Sequence, residues 1–334
     1  MASHKLTTLG YSLRLYGAAR AANRAWSPRD DMAAQPFPKV VQLQTINACQ
    51  AACRMCPYPL VKDRFARGRM EDWLFEKIID EVAGRPEVKA LVPMLQNEPF
   101  LDKALFERIA SFKRKAGPRV SVELVTNGAF LTEANIAQIR ASKLDVLDIS
   151  LDALSPEVYR ELRVGLDYDQ VIAGVERALA ADLPGTSIFV RLIRLRQNFH
   201  EVKRFAREWK RKGAGVFIYS PNSRAGAVPG FDDELRVPET QLPLSHRLGR
   251  RLFRAFIGHC PVPFATANVL HDGQVLMCTH DWQRREIVGD LRTQTLAEVW
   301  NGPRMRAIRA AVAERRYQDL PACRECTLWR DGWF

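Results

Sequence analysis

Residues 40–59, VVQLQTINACQAACRMCPYP, decide the fold. The stretch begins with an apolar run that predicts a buried strand over residues 40–45. A loop follows, in which cysteines are spaced Cys-x3-Cys-x2-Cys at Cys49, Cys53 and Cys56. Three thiolates are one too few for a closed tetrahedral zinc site, but they can hold three irons of a 4Fe–4S cube and leave the fourth iron open. The loop is therefore predicted to hold an iron–sulfur cluster that a small molecule can reach.

Beyond the loop, strand and helix patterns alternate at a spacing of about 30 residues, as expected of repeated βα units. The later strands are predicted at residues 90–95, 120–126, 146–150, 187–193 and 216–219, and the helices at 73–82, 103–115, 132–141, 171–181 and 201–212. Segments such as ALVPML and VLDIS are apolar nearly throughout, which is typical of parallel strands covered by helices. The predicted fold class is therefore α/β, a partial (β/α)6 barrel with its chemistry at the carboxyl ends of the strands.

The alternation is confined to the middle of the chain, which predicts four segments. They are an N-terminal helical extension at residues 1–38, the barrel at 39–222, a connector and helix at 223–259, and a small C-terminal domain at 260–334. The extension is predicted to be an amphipathic helix packed on the barrel, although its basic composition also resembles a transit peptide or a membrane-surface helix. The connector helix is expected near residues 248–257.

The C-terminal domain combines a hairpin, a helix and a second group of cysteines. The sequence VLHDGQVLMC predicts a hairpin with a two-residue turn at Asp272-Gly273, and a helix is predicted over residues 296–312. The other four cysteines also lie here, at Cys260, Cys278, Cys323 and Cys326. Four thiolates complete the ligand set of either a structural zinc ion or a 4Fe–4S cluster, and the spacing alone leaves both open.

Composition restricts the classes of function. Seven cysteines is an odd number and the chain opens without a secretory signal, which favours metal or redox chemistry in a reducing, cytoplasmic compartment over a disulfide framework. The net charge of +12 comes mostly from arginines scattered over predicted helices, so nucleic-acid binding is not expected. No run of about 18 apolar residues occurs, so no membrane span is predicted.

Over about residues 39–222 the chain resembles the radical S-adenosylmethionine (radical SAM) enzymes, which carry this three-cysteine spacing after the first strand of a six-fold βα barrel. The C-terminal hairpin, helix and cysteines resemble the auxiliary SPASM domains, in the short single-cluster version called twitch. Their spacings are similar to those of the cyclitol dehydrogenases of butirosin biosynthesis. The resemblance implies three cofactors, which are S-adenosylmethionine (SAM), a 4Fe–4S cluster on the three-cysteine loop and an auxiliary 4Fe–4S cluster on the four-cysteine set.

The resemblance also implies which residues bind the polar groups of SAM. Asn97 and Glu98 belong to a Gln-Asn-Glu-Pro sequence where the family usually has Gly-Gly-Glu-Pro, and Glu98 would hold the amino group of SAM. Ser150 at the end of the fourth strand, with Arg163 on the following helix, would bind the ribose or the carboxylate. A guanidinium suits this role because its fork of donors matches a carboxylate.

The adenine of SAM is expected between two parts of the barrel. Ile218 and Tyr219 on the sixth strand would lie beside it. Met55 stands where the family often has an aromatic residue before the third cysteine, and its thioether can also pack on adenine. The Thr126-Asn127-Gly128 turn after the third strand is a common family element and is interpreted as structural.

The activity implied by the resemblance is reductive cleavage of SAM. The cluster passes one electron to the bound sulfonium, and the resulting 5′-deoxyadenosyl radical takes a hydrogen atom from an unactivated C–H bond. A second, saturated cluster would accept an electron from an oxidised substrate radical. The chain is therefore predicted to be a radical SAM oxidoreductase, a dehydrogenase, epimerase or related enzyme. Its substrate would be a small polar molecule such as an aminocyclitol or sugar, with flavodoxin or ferredoxin as reductant.

Candidate catalytic residues lie near the predicted barrel interior and the second cysteine group. Strand alternation places Arg191 and Arg194 on opposite faces of the fifth strand, so at most one points inward, and Arg191 is predicted to contact the substrate. Asp281 and its neighbour His280 follow Cys278 closely, and Asp281 is the candidate for substrate deprotonation.

Two other functions compete with this prediction. A maturase that cross-links, epimerises or oxidises a ribosomally made precursor peptide is the first alternative. Such enzymes often carry a leader-binding domain, for which residues 1–38 are too short, and more than four downstream cysteines. A non-catalytic iron–sulfur or zinc protein is the second, and it would leave the pattern of Glu98, Ser150 and Arg163 without a purpose. The small-molecule enzyme is therefore favoured.

Overall fold

One curved sheet runs through the computed structural model, which describes residues 36–244, 247–248 and 259–331. Its nine strands lie in the order β6-β5-β4-β3-β2-β1-β7-β8-β9. All neighbours from β6 to β7 pair in parallel, whereas β8 and β9 pair antiparallel. The strands are Val40–Leu43 (β1), Ala90–Val92 (β2), Ser121–Thr126 (β3), Val146–Ser150 (β4), Ser187–Ile193 (β5), Gly215–Tyr219 (β6), Thr266–Val269 (β7), Gln274–Leu276 (β8) and Ile287–Asp290 (β9). The order begins and ends on different strands, so the sheet is an open, partial barrel.

The described helices connect or follow the strands, and the long helices of the βα series cover one face of the sheet. They are Tyr58–Val61 (α1), Asp72–Ala83 (α2), Leu105–Ala116 (α3), Glu133–Ser142 (α4), Pro156–Leu162 (α5), Tyr168–Ala180 (α6), Val202–Arg211 (α7), Val262–Ala265 (α8), Leu296–Trp300 (α9), Pro303–Ala313 (α10), Pro321–Arg324 (α11) and Leu328–Asp331 (α12). The six strands and five helices of the predicted βα series are confirmed, with ends that shift by a few residues. The short helices α1 and α5 were not expected from the periodicity.

Side-chain alternation divides each barrel strand between two environments. On β4, Leu147 and Ile149 are fully buried in the main hydrophobic core, which also contains Ile78 of α2 and Phe112 of α3. Ser150, on the other face, lines an interior cavity. The strands are apolar toward the helices, whereas toward the inside they carry polar side chains such as Glu123 and Arg191 beside apolar ones such as Val125.

The C-terminal segment extends the barrel sheet, which the sequence did not predict. Strand β7 pairs in parallel with β1 along its whole length, from Val40 opposite Thr266 to Leu43 opposite Val269. Strand β1 therefore lies between β2 of the barrel and β7 of the C-terminal segment. The three-cysteine loop follows a strand that both parts of the chain hold in place.

Two details of the C-terminal prediction are wrong. The helix expected over residues 296–312 is two helices, α9 and α10, separated at Asn301-Gly302, because Pro303 has no N–H to continue the hydrogen-bond ladder. The hairpin turn has three residues rather than two. Leu270 N–H donates to the Gln274 carbonyl (2.8 Å), and Gly273 takes the left-handed backbone at φ 93°, as in a type I turn with a glycine bulge.

Some predictions lie outside the described residues. These are nearly all of the N-terminal extension, at residues 1–35, and the connector helix near 248–257. Within the part of the chain that is described, no helix has the length and apolar character that crossing a bilayer requires.

Candidate active site

A cavity of about 440 Å³ runs along the inner face of the curved sheet. Residues that follow the barrel strands line one side of it, including the three-cysteine loop. Thr279, His280 and Trp282 of the C-terminal segment line the other side. A volume of this size falls in the range of about 300–1,000 Å³ that small-molecule sites occupy. The cavity therefore brings the first cysteine group and the C-terminal segment to one space.

All three cysteines of the first group face this cavity. The Cys53 sulfur accepts a hydrogen bond from Arg163 Nη1 at 3.5 Å, and the Cys56 sulfur accepts one from Tyr58 N–H at 3.5 Å. Burial raises the pKa of the Cys49 thiol to about 12 and that of Cys56 to about 11. Such thiols become thiolates at neutral pH when a metal bonds their sulfur.

The donor set fits an open iron–sulfur cluster. Three soft sulfur ligands converge on one cavity, hydrogen-bond donors support two of them, and the loop closes on a cavity with room for a further ligand. Hydrogen bonds to cluster sulfurs are among the features that tune such centres. We expect Cys49, Cys53 and Cys56 to hold the cluster that binds SAM.

The four C-terminal cysteines also form one group. The pKa of Cys278 is raised well above its ordinary value by burial and by the neighbouring Cys260, Cys326 and Cys323, which places all four within electrostatic range of each other. The Cys278 sulfur accepts a hydrogen bond from His280 N–H at 3.4 Å. Four thiol ligands fit a saturated cluster with no open corner.

Glu98 is a buried carboxylate held at the floor of the cavity. Its oxygens accept hydrogen bonds from Thr126 Oγ1 (2.8 Å), Asn127 N–H (2.8 Å) and Phe100 N–H (3.2 Å). Burial nevertheless raises its pKa to about 7. The carboxyl group is only 2% exposed. A cation bound beside it would lower its pKa again and so stabilise the ionised form, which makes Glu98 suited to bind a cationic group.

The Thr126-Asn127-Gly128 turn, interpreted from the sequence as structural, thus orients a predicted cofactor-binding residue. Its Asn127 also lines the cavity itself. The signal that would have found it is its position directly after a parallel strand, where ligand-binding residues collect.

Arg163 and Ser150, which are predicted to bind the ribose or the carboxylate of SAM, both line the cavity. Arg163 is almost fully buried and forms an ion pair with Asp152 in addition to its contact with Cys53. Asp152 has φ 62° and its Oδ1 accepts the Ile193 N–H at 2.6 Å, so the carboxylate is fixed between β4 and β5. This pair fixes the guanidinium of Arg163 beside the first cysteine group.

Of the other predicted SAM contacts, three line the cavity and one does not. Met55, Asn97 and Tyr219 line the cavity. Ile218 packs instead against the main core on the helix side, because neighbouring residues of β6 point to opposite faces. The structure therefore brings Tyr219, but not Ile218, to the cavity.

Gln96, which precedes Asn97, takes the conformation for which the family's glycine is suited. Its φ is 58°, in the left-handed region. Its amide Nε2 donates to the Thr279 carbonyl at 2.9 Å and so links the barrel to the C-terminal segment.

Arg191 points into the cavity, in agreement with the prediction from strand alternation. Arg191 Nε lies 3.1 Å from both carboxylate oxygens of Asp148, and its guanidinium stacks 4.9 Å above the Tyr219 ring. Arg194 instead donates to Ser220 Oγ at 2.9 Å. Asp281 does not join them, because its carboxylate is buried in its own loop, where it accepts the Glu286 N–H at 2.8 Å.

Two cavity residues were missed or undervalued in the sequence. Arg224, after β6, carries no sequence motif, and its Nη1 lies 3.0 Å from Nδ1 of His280. His280 faces the cavity, as do Thr279 and Trp282, whereas its neighbour Asp281 does not. Nothing in the sequence spacing brings these two residues together, since 56 positions separate them.

Comparisons with known proteins agree with this geometry. Residues 43–209 match the family model of the Radical SAM superfamily, and residues 260–327 match that of SPASM, an iron–sulfur cluster-binding domain. A GTP 3′,8-cyclase from Heliobacterium modesticaldum is 33% identical over 172 residues, which are 50% of each chain. One from Xanthomonas campestris is 29% identical over 160 residues, 46% of this chain and 45% of the relative. The chain thus spans about half the length of the curated relatives it matches.

Solved structures share the fold at low sequence identity. BtrN in complex with AdoMet and 2-DOIA has a TM-score of 0.62 at 15% identity and covers 90% of this chain and 98% of its own. SuiB from Streptococcus suis, bound to the precursor peptide SuiA, has a TM-score of 0.67 at 13% identity, with 90% and 72% covered. The anSMEcpe protein with bound AdoMet has a TM-score of 0.60 at 15% identity, with 86% of both chains covered.

These matches confirm the predicted fold class and the predicted cofactors. Radical SAM domains bind SAM and a 4Fe–4S cluster, and SPASM domains bind auxiliary iron–sulfur clusters. The assignment of individual residues to these cofactors stays a prediction.

Proposed function

Because the chain belongs to the radical SAM superfamily and carries a SPASM domain, we propose that it oxidises a small polar substrate by hydrogen-atom abstraction. When bound, SAM and its cluster supply a carbon-centred radical that can remove hydrogen from an unactivated C–H bond. The substrate would lie in the interior cavity, between the three-cysteine loop and the C-terminal segment.

The chain's own residues would bind and orient the cofactor. Cys49, Cys53 and Cys56 would hold the first cluster, Glu98 would accept the amino group of SAM, and Ser150 with Arg163 would face its ribose or carboxylate. Arg191, fixed by the buried Asp148, would contact the substrate. The apolar parts of the cavity lining would limit water near the reacting atoms, which protects a radical from side reactions.

The observation that carries the oxidation proposal is the stretch 278–282. It begins at Cys278 of the second group and ends at Trp282, which packs in a cluster that Cys49 and Cys56 of the first group also contact. Five residues thus connect the two cysteine groups across the cavity. This proximity supports the transfer of an electron from the substrate to an auxiliary cluster held by Cys260, Cys278, Cys323 and Cys326.

A precursor peptide is the second candidate substrate. The SuiB structure, bound to its precursor peptide, covers 90% of this chain, and this likeness supports a peptide as an alternative. The cavity volume favours the small molecule. Deuterium transfer from labelled substrates into 5′-deoxyadenosine separates the two, since transfer from labelled polyols or sugars supports the first and transfer only from peptides supports the second.

Metal content tests the two cysteine groups. Anaerobically reconstituted protein is expected to bind about eight iron and eight sulfide per chain, supplied by two cubane clusters. About four of each, together with zinc, would contradict the auxiliary cluster. A flavodoxin or ferredoxin is expected to replace dithionite as the reductant.

Single-cysteine variants separate the two clusters. With dithionite and SAM the protein is expected to form 5′-deoxyadenosine, and Cys53→Ala is expected to abolish this product. Cys323→Ala serves as the matched control, because it is expected to spare SAM cleavage and to block net substrate oxidation. Persistence of the product in Cys53→Ala would show that the first site is assigned wrongly.

A further inference from the structure

Arg224 lies in the cavity between the two cysteine groups. Its guanidinium is within electrostatic range of Cys56 of the first group and Cys278 of the second. Its Nη1 contacts His280 Nδ1 at 3.0 Å, and both residues line the cavity. No carboxylate pairs with Arg224 anywhere in the described ranges 36–244, 247–248 and 259–331.

Among the described residues, the other two arginines that line the cavity are neutralised. Arg163 forms an ion pair with Asp152, and Arg191 forms one with Asp148. A guanidinium has five N–H donors, and its contact with His280 uses one side of Arg224 only. The positive charge and the remaining donors of Arg224 are therefore available to a ligand inside the cavity.

The backbone around Arg224 has an unusual conformation. Arg224, Ala225 and Gly226 have consecutive positive φ values of 50°, 55° and 77°. A Cβ on Gly226 would lie 2.4 Å from a carboxylate oxygen of Glu325, so this glycine also allows a close approach. Non-glycine residues seldom adopt this backbone, and such residues concentrate at binding sites.

Hydrogen bonds from the C-terminal cysteine segment hold this loop. Ser223 N–H donates to Thr327 Oγ1 at 2.9 Å, and Ser223 Oγ donates to the Glu325 carbonyl at 2.8 Å. Glu325 and Thr327 flank Cys326 of the second group. The segment that holds the second group therefore also directs the Arg224 side chain into the cavity.

We propose that Arg224 binds an oxyanion of the substrate, a carboxylate or a phosphate, and orients the substrate between the two cysteine groups. The inference rests on the proposed function and narrows its substrate to a small anionic molecule. A hydrogen bond between a guanidinium and an oxyanion is charge-assisted, and a site with little water strengthens it.

Anion binding is testable on the holoenzyme without knowledge of the substrate. The full chain, reconstituted anaerobically and reduced with dithionite, is titrated with inorganic phosphate, followed by ³¹P relaxation, and with ¹³C-acetate, followed by ¹³C relaxation. Paramagnetic clusters beside Arg224 are expected to enhance the relaxation of the bound anion. The site prefers the oxyanion whose relaxation enhancement reaches half of its maximum at the lower concentration.

Three variants determine whether Arg224 is the binding group. Arg224→Gln is expected to weaken binding about tenfold or more, because it removes a charged hydrogen-bond donor. Arg224→Lys keeps the charge and is expected to restore part of the affinity. Arg204→Gln, at an exposed site on α7, is the matched control and is expected to bind as the wild type does. Iron content and near-ultraviolet circular dichroism report whether each variant folds.

Two results would overturn the inference. One is equal relaxation enhancement in the wild type and in folded Arg224→Gln, which would place the anion elsewhere. The other is displacement of the anion by saturating SAM, which would assign Arg224 to the cofactor's carboxylate. Failure of the wild type to form 5′-deoxyadenosine would reject the proposed function and leave the anion measurement unaffected, so the two failures are distinguishable.

Discussion

At the scale of single residues, burial raises the pKa of Glu98 although the hydrogen bonds that hold its carboxylate act to lower it. Its motif was readable in the sequence, but the donors that hold it, Thr126 and Asn127, were not, because they come from another strand. The same limit applies to Arg224, whose left-handed backbone leaves no mark in the sequence. Residue identity was predictable from motifs, whereas partners that meet only on folding were not.

The pKa of Glu98 predicts a pH-dependent affinity for SAM. Burial raises this pKa to about 7, and the ammonium group of SAM would bind the ionised form. Below pH 7 the carboxyl group must release a proton before binding, so the affinity is expected to rise by up to about tenfold per pH unit and to level off above pH 7. Calorimetry in buffers of different ionisation enthalpy would detect the released proton.

Glu98→Gln provides the control for this dependence. The amide cannot ionise, so binding of SAM is expected to be weaker at pH 8 and independent of pH between 6 and 8. A wild-type affinity that does not change with pH would contradict the assigned role of Glu98. In the absence of cofactor, the raised pKa of Glu98 makes the folding stability fall, rather than rise, with increasing pH. The contribution of Glu98 to the free energy of unfolding is complete below pH 4.5 and is lost as the pH rises through about 7.

Removal of Arg191 is expected to destabilise the fold in a pH-dependent way. Arg191→Met leaves the carboxylate of Asp148, which is 0% exposed, without its partner. Breaking a buried pair costs about 3 kcal/mol or more, and the loss is expected at pH 8 in urea unfolding. Burial already raises the pKa of Asp148, and loss of Arg191 would raise it further, so protonation at pH 5 is expected to reduce the loss.

A double variant tests the cause. Asp148→Asn combined with Arg191→Met removes both charges, and it is expected to recover most of the stability of the single variant at pH 8. Equal instability of the single and double variants would mean that lost packing, rather than an unpaired charge, explains the effect.

At the scale of elements, the helices and strands of the barrel were predictable because each follows a local period. The strand boundaries of β4 and β5 agree with their predictions residue for residue. The break between α9 and α10 was missed although Gly302 and Pro303 signalled it, because apolar residues continue at helical spacing across the break. The short helices α1 and α5 carry too few residues for a period to be recognised.

Helix α2 also anchors the C-terminal segment through its side chains. Glu81 accepts the N–H groups of Leu296 (2.8 Å) and Ala297 (2.9 Å) at the start of α9, and Lys77 Nζ donates to the Gln294 carbonyl at 2.9 Å. Glu81→Ala is expected to lower the free energy of unfolding by about 1–2 kcal/mol, because it removes a helix cap. Urea unfolding of the anaerobic holoenzyme measures this change.

Asp80→Ala, one position earlier on the same helix, is the matched control. The Asp80 side chain is 63% exposed and, among the residues that the structure describes, pairs only with Lys115, an interaction worth less than about 1 kcal/mol. An equal decrease in the free energy of unfolding of Glu81→Ala and Asp80→Ala would contradict the capping role of Glu81.

At the scale of the whole molecule, β1 joins the barrel and the C-terminal segment in one sheet. Lys39 N–H donates to the Ala265 carbonyl (2.9 Å) and Gln44 N–H to the Val269 carbonyl (2.8 Å), at the two ends of the β1–β7 pairing. The division of the chain into four segments stays a prediction from composition and motifs. The pairing of β7 with β1 was not predicted, because no local pattern specifies which distant strand will pair with β1.

This continuity predicts that the barrel is not stable alone. Residues 1–259, expressed without the rest, would expose β1 as an edge strand and remove Ala267 and Ile308 from the main core. The fragment is expected to aggregate, whereas the full chain remains monodisperse in size-exclusion chromatography. A monomeric fragment with a sharp, dispersed proton NMR spectrum would contradict the prediction.

The bonds between Ser223 and the segment around Cys326 have a consequence for laboratory evolution. Positions 223, 325 and 327 set the direction of Arg224 without being metal ligands. Libraries that vary these three positions would shift the guanidinium of Arg224 without changing the cysteines. Variants with new substrate preferences are therefore expected in such libraries. Saturation mutagenesis aimed at the barrel strands would instead disturb the packed interior that keeps every variant folded.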